Sequence, residues 1–437
     1  MKEEVEKKEK KTKQSRGSLI LWGVLFFVLL SPLLFSGVKA WKGPALFNVE
    51  TPHLSLEALT LRNVLEGQFQ DLFEKNCKRG VAFSNYWVRA HNELLFRVFQ
   101  KSKTYKLVLG ENNYFYEEIY ITEYLGHNFV GDSVMQKRIR HLAFLQKLLL
   151  DQYQIYLIPV IEPGKASFNP DPIPDHFHPH IKGKSNYESF VEHATREQIS
   201  FLDLNRYFKD LRPTAPHPLY SQYGIHWSSY GMWIAADTLT HYLEATCHIK
   251  LPELYFRGDS VSTTNRDLDF DLEPPMNLLF PLPMQPIYFP IVEIIADSLS
   301  VKPKVLTIGD SYYWSMFNNG YVEQVFSENP FWYYYHTIWP DIWNWNVTVD
   351  TSQLKNNILH HQIILLMITD ANLYRLGWGF IEDAIEKLAP DYPLDPEVLF
   401  LNQFLANADQ YHLSLKEAIR QQKTFEEIIR TKYKEKQ

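Results

Sequence analysis

Apolar residues follow three different patterns along the chain. From Ser18 to Val38 an uncharged run of 21 residues is dominated by Leu, Val and Phe. At about 1.5 Å rise per residue, such a run as a helix spans a hydrocarbon core of about 30 Å. Between residues 55 and 100 the spacing changes: Leu56, Leu59, Val64, Leu65, Phe69, Leu72 and Phe73 recur at helical intervals, which predicts amphipathic helices. After residue 150 come short runs that are apolar at nearly every position. They are Ile155–Ile161, which runs into the turn Glu162-Pro-Gly164, then Ile199–Asp203, Lys304–Gly309 and Ile363–Ile368. Helical patterns lie between them, at Arg138–Gln152 and Ser229–Thr246. Strands without a polar face, alternating with helices, predict an α/β fold whose parallel sheet is covered on both sides. Near the C-terminus, Ser414-Leu-Lys-Glu417 reads as a capping box that opens a helix carrying Ile419, Phe425, Ile428 and Ile429. No repeat or low-complexity linker follows residue 42, so residues 45–437 read as one elaborated domain with helical extensions at both ends.

Charge sharpens the reading of the first apolar run. Residues 1–16 hold six Lys, Arg16 and four Glu, a local charge of +3, so the −7 of the whole chain leaves −10 for the rest. A basic flank ahead of an apolar span places residues 1–17 in the cytoplasm as a tail, residues 18–38 in the membrane as a single-pass anchor, and the remainder outside. Trp22 and Trp41 bracket the run as interfacial residues do. The competing reading is a cleaved signal peptide ending at Val38-Lys-Ala40, although the run is long for one. Either way the bulk of the chain is expected in the periplasm or its extracytoplasmic equivalent. There Cys77 and Cys247 are chemically able to pair. The acidic body argues against nucleic acid as a partner. With 45% hydrophobic and 22% charged residues, the chain can bury a large core.

Among chemically active residues, Gly309-Asp-Ser311 stands out. It follows a predicted strand and precedes a helical stretch, the position at which ligands bind in open parallel sheets. Backbone N–H groups at such a turn can stabilise an oxyanion. A serine nucleophile needs a base, and His226, in Tyr223-Gly-Ile-His-Trp-Ser-Ser-Tyr-Gly231 just before a predicted helix, is the candidate, with Trp227 beside it to pack on the imidazole. An ordinary turn serine and a buried structural histidine are the bland alternatives. No Cys/His cluster, His-Glu-x-x-His, P-loop or dinucleotide fingerprint is present, so no metal or cofactor is expected.

Taken in order, these motifs resemble the SGNH-hydrolase-like family of alginate O-acetyltransferases, periplasmic enzymes that acetylate exported polysaccharides. Gly110-Glu-Asn-Asn-Tyr-Phe-Tyr116, with Tyr120 and Leu125-Gly126 after it, is similar to an early segment of that family. Ile158-Pro-Val-Ile-Glu-Pro-Gly-Lys-Ala-Ser167 is similar to its strand-to-loop segment. Leu219-Tyr220, His226-Trp227 and Gly231 are similar to its histidine motif, and Gly309-Asp310-Ser311 to its nucleophile motif. The histidine lies 85 residues before the serine (311 − 226), the family's permuted order. The resemblance covers most of residues 45–437 and implies an SGNH-hydrolase-like, flavodoxin-like sheet, a Ser311 nucleophile and a His226 base. It also implies a polysaccharide acceptor and a membrane-bound O-acyltransferase partner that supplies acetyl. One departure matters: the family's acid stands two residues before the histidine, and here that position is Gly224. Asp370, just after the fourth apolar run, is the substitute to test first, with a helix N-cap as its other reading; Asn372 in the same loop is a candidate substrate contact.

The aromatics are concentrated after the serine, 14 of them between Tyr312 and Trp345. Tyr and Trp offer apolar faces to sugar rings and polar edges to hydroxyls. Tyr312, Trp314 and Trp332 are therefore the expected sugar contacts, although most aromatics in most proteins are core. The expected function is O-acetyl transfer to an exported polysaccharide through a Ser311 acyl-enzyme. The alternatives are a carbohydrate acetyl esterase, or a non-catalytic glycan-binding or scaffold subunit, which Gly224 favours.

Overall fold

The computed structural model describes residues 17–31, 43–49, 59–80, 82–177, 182–263, 269–283, 285–339 and 347–437. The chain divides into two compact units. One comprises residues up to Thr104 together with Glu273–Leu282, and the other comprises Tyr105–Leu272 with Pro283–Gln437. Where sequence patterning shows no break after residue 45, packing separates the helical N-terminal part and draws a ten-residue return segment into it.

In the first unit residues 17–31 are helical. Among the described residues no helix is long and apolar enough to cross a membrane; residues 32–38 of the expected anchor, Trp41 and the side chain of Cys77 lie outside them. The helices Leu61–Leu65, Gln68–Gly80 and Ser84–Phe99 follow. The last of these holds the return segment by its polar face: Arg89 Nη1 donates to the Leu278 carbonyl (2.9 Å), Asn92 Nδ2 to that of Met276 (2.8 Å), and Glu93 accepts the Leu279 N–H (3.1 Å).

The second unit is built on a sheet. A short hairpin, β1 (Leu107–Leu109) and β2 (Phe115–Glu117), is followed by the strands β3 (Tyr156–Glu162) and β4 (Leu202–Asp203). Next comes a separate antiparallel hairpin of β5 (Glu253–Ser262) and β6 (Ile287–Ile295), and then β7 (Val305–Gly309), β8 (Phe331–Tyr333), β9 (Thr337–Trp339) and β10 (Ile363–Thr369). The main sheet has the order β4-β3-β10-β7-β8-β9. All of its neighbours pair in parallel except β8 with β9, which a tight turn reverses. The sheet is thus mixed at one edge.

Both faces are covered, as the unbroken apolar runs require. Ile363, Leu365 and Met367 of β10 face a core that includes Met232, Ala235, Leu239 and Leu243 of the helix Ser229–Cys247. Ile364, Leu366 and Ile368 face the opposite core, with Ile139, Leu142, Leu145 and Leu149 of the helix Asp132–Tyr153. The period-two alternation persists in space but is invisible in hydropathy, because each face is equally dry. Of the expected strand Ile199–Asp203 only the last two residues pair, since the Ile199 N–H is already bonded to Ala194 O (2.9 Å) at the end of a helix.

The C-terminal capping box sits elsewhere than the sequence reading placed it. Asn407 caps the helix Ala408–Gln421 through Gln410 N (3.1 Å), so Ser414 falls inside that helix and is buried. Thr424 and Glu427 form the reciprocal pair that opens the helix Phe425–Lys436. Ser-x-x-Glu caps only where the preceding backbone is not yet helical.

Trp332 in β8 belongs to the core, with 2% of its surface exposed. Trp332→Ala is expected to destabilise the fold by about 3–5 kcal/mol, read as a lowered unfolding midpoint.

Candidate active site

At the C-terminal end of β7 the backbone runs close to its neighbour. A Cβ on Gly309 would lie 2.9 Å from Met367 Cβ and 3.1 Å from Met367 O, so the glycine is required by strand contact rather than by a left-handed turn. Asp310 follows, fully buried. Its Oδ2 accepts from Thr369 N (2.9 Å), Thr369 Oγ1 (2.7 Å) and Asn372 Nδ2 (2.8 Å), and its Oδ1 from Tyr312 N (3.1 Å). Four accepted bonds satisfy the carboxylate and tie the exit of β7 to the exit of β10. Ser311 is thereby set at the sheet edge ahead of the short helix Tyr313–Asn318.

The histidine comes from another loop. Ser228 caps the helix Ser229–Cys247 by accepting Gly231 N (3.0 Å), and residues 220–227 lead into it, closed by a bridge between Tyr220 and Trp227. Lys165, buried, reaches into this loop and donates to Gly224 O (2.6 Å) and Gln222 O (3.0 Å), its ammonium 4.1 Å from the Tyr114 ring centroid. Burial holds the Lys165 amine well below its ordinary pKa. Trp227 Nε1 donates to Ser315 Oγ (2.7 Å), and the Tyr312 ring stands edge-on to both His226 (4.8 Å) and Trp227 (5.1 Å).

Held in this way, His226 presents Nε2 to Ser311 Oγ at 2.8 Å and Nδ1 to Asp271 Oδ2 at 2.6 Å. The other oxygen of Asp271 accepts the Ile225 N–H at 2.7 Å. An ionised carboxylate only accepts, so Nδ1 carries the proton and Nε2 is free to accept from the serine hydroxyl. The segment bearing Asp271 is docked on the histidine loop by Leu272 N to Tyr223 O (3.0 Å) and by Ser229 Oγ to Asp269 Oδ2 (2.7 Å). Serine, imidazole and carboxylate form one continuous hydrogen-bonded relay, the arrangement by which a hydroxyl becomes a nucleophile.

Residues 108–271 match the model of a family described as the SGNH hydrolase-like domain of the acetyltransferase AlgX. Over this span the chain is similar to the alginate O-acetyltransferase-like SGNH family. The matched span contains His226 and ends on Asp271; Ser311 lies beyond it. No curated protein matches the chain. Among solved structures, the O-acetyltransferase domain of Pseudomonas putida AlgJ is 14% identical, covering 68% of this chain and 98% of that one with a TM-score of 0.41. Pseudomonas aeruginosa AlgX is 14% identical over 63% of this chain and 67% of that one, also at 0.41. Bacillus cereus PatB1 with a sulfonyl adduct is 10% identical over 57% and 93%, at 0.39. At this distance these likenesses add nothing to the geometry.

Measured against an SGNH hydrolase-like site, the expected residues separate. Ser311 and His226 meet. Asp370 does not join them: its buried carboxyl, pushed up by that burial, accepts from Asn205 Nδ2 (2.7 Å) and from Ser167 Oγ and buttresses the loop after β3. Its place beside the imidazole is taken by Asp271. The sequence signal for Asp271 was the alternation of acids with Leu268, Phe270 and Leu272, but nothing local joins that run to a histidine 45 residues earlier (271 − 226). Asn372 spends its amide donors on Asp310 and on Thr369 Oγ1 (3.0 Å). Tyr312 is buried behind the imidazole, its hydroxyl donating to Ile225 O (3.1 Å), so it backs the base instead of meeting a sugar. Trp332 is core. Trp314 is hemmed in by Phe317, Phe331, Tyr333 and Trp339, with ring centroids 4.9–5.9 Å away.

Glu162 at the end of β3 is fully buried, and neither carboxyl oxygen accepts a hydrogen bond from the described residues. Burial and the neighbouring Asp310 carboxylate push its pKa well above the usual range, so it is neutral in the fold and ionised in the unfolded chain. A raised folded-state pKa means that stability is lost as pH climbs above the unfolded value, near 4.3. Glu162→Gln removes that cost. Its unfolding midpoint relative to wild type is expected to rise from pH 4 to pH 8; a difference that stays flat with pH contradicts the neutral form.

Proposed function

We propose that the chain is an O-acetyltransferase that modifies an exported polysaccharide through an acetyl ester on Ser311. The observation that carries this reading is the relay Ser311–His226–Asp271, within a chain whose residues 108–271 are of the AlgX acetyltransferase family. In the first half-reaction, His226 Nε2 takes the Ser311 proton as Oγ attacks the acetyl carbonyl of the donor. The imidazolium, stabilised by Asp271, then returns that proton to the leaving group. In the second half, an acceptor sugar hydroxyl gives its proton to Nε2 and attacks the Ser311 ester. Collapse releases the acetylated sugar and restores the serine O–H. No step consumes an oxidant or leaves a proton unaccounted for.

Two companions of this chemistry belong to the proposal. The uncharged run Ser18–Val38 anchors the chain in the membrane, with the body on the extracytoplasmic side. A membrane-bound O-acyltransferase delivers the acetyl group there, and anchoring raises the effective concentration of one protein for the other. Asp271 weighs against the scaffold alternative, whose main support was the missing acid at Gly224.

The test uses the purified full chain with p-nitrophenyl acetate and intact mass. Wild type is expected to gain one acetyl group, and Ser311→Ala none. Asp271→Asn is expected to lower the acylation rate by about 10⁴, the effect of losing the imidazole tautomer. Asp370→Asn is expected to slow acylation far less. An unmodified wild type that still binds glycan supports the scaffold reading. Acetyl lost to water, with no transfer to sugar, supports the esterase.

A further inference from the structure

The strands on either side of β7 send aromatic residues toward each other across its end. Tyr334, the first residue after β8, donates its N–H to Gly309 O (2.8 Å), two residues from Ser311. Trp378 lies in the loop after β10, whose start Asn372 fastens to Asp310. The sheet order β10-β7-β8 puts these two exits on opposite flanks of the nucleophile strand, and the rings meet with centroids 5.4 Å apart, edge to face.

Both residues hold backbone conformations that bulky side chains avoid. Tyr334 has φ +52° and Tyr335 φ +55°. Trp378 has φ +50°, between Gly377 at +69° and Gly379 at +99°. Three successive left-handed residues suit glycine, yet the middle one is the largest side chain available. Such conformations are disfavoured for bulky side chains and persist where the surrounding structure holds them, often at functional sites. The relay of Ser311, His226 and Asp271 uses neither residue.

We infer that the Tyr334–Trp378 pair is the acceptor-sugar subsite, which positions a pyranose ring over the end of β7 against the two half-buried rings. The inference rests on the acetyl-transfer reading. A half-buried aromatic pair matches a sugar, which has an apolar C–H face to lay against a ring. It does not match the acetyl group itself, which has no ring to stack. Tyr334 and Trp378 set which sugar reaches the ester; Ser311 and His226 act on any acetyl donor that fits.

The experiment acetylates the full chain with p-nitrophenyl acetate and offers alginate or cello-oligosaccharides as acceptors, following acetyl transfer by mass. Trp378→Ala is expected to raise the acceptor KM at least tenfold, with a smaller change in kcat and in the rate of Ser311 acylation. Trp378→Phe, which keeps a smaller ring, should fall between, and so keeps the test open if the alanine variant folds poorly. An acceptor KM unchanged in both variants overturns the subsite. So does a wild type that forms the Ser311 ester but transfers it to neither oligosaccharide. Absence of the ester altogether instead overturns the acetyl-transfer reading.

Discussion

The buried carboxylate of Asp310 is the junction on which the site depends. It accepts four hydrogen bonds, from the exit of its own strand and from the exit of β10. A parallel sheet leaves its strand ends joined only through such contacts, because the connecting loops are long and the ladder stops. By binding Thr369 and Asn372, Asp310 fixes the height and direction of Ser311 relative to the loop that carries Trp378. Replacing it with an apolar residue would strand several buried donors at once, the expensive form of hydrogen-bond loss.

Four buried or half-buried acids lie near the sheet edge, and their environments divide the work. Asp310 and Asp271 each accept hydrogen bonds on both carboxyl oxygens. Asp370, bonded by Ser167 and Asn205, supports the loop that carries Lys165. Glu162 has no donor and sits beside Asp310, so it is held neutral. Lys165 complements them from below: its donors go to the carbonyls of Gln222 and Gly224, at the position where the family pattern has its acid. The histidine loop is thus held from beneath by a lysine, while its carboxylate comes from a later segment.

Aromatic residues serve three purposes that composition cannot separate. Trp332 and Tyr313 fill the core. Tyr312 and Trp227 wall the imidazole, using their polar atoms on Ile225 O and Ser315 Oγ. Tyr334 and Trp378 are held at positive φ at the sheet edge. Within β8 the strand register does the sorting: Trp332 and Tyr333 point to opposite cores because successive side chains alternate.

The sequence by itself determined the elements whose signal is local. Runs such as Ile363–Ile368 announced strands buried on both faces, and the spacing of Arg138–Gln152 announced a helix. The ordered motifs paired Ser311 with His226 from 85 residues apart. The three-residue strands β8 and β9 were illegible, being too short to show a period, and the Ser414 box misled because capping depends on where the helix has already begun. Tertiary structure alone decided the acid, since Asp271 meets His226 only because the segment before residue 273 folds back on the Tyr223 loop. It likewise decided which aromatics fill the core and which wall the imidazole. Both are contacts between distant segments, and spacing along the chain carries no record of them.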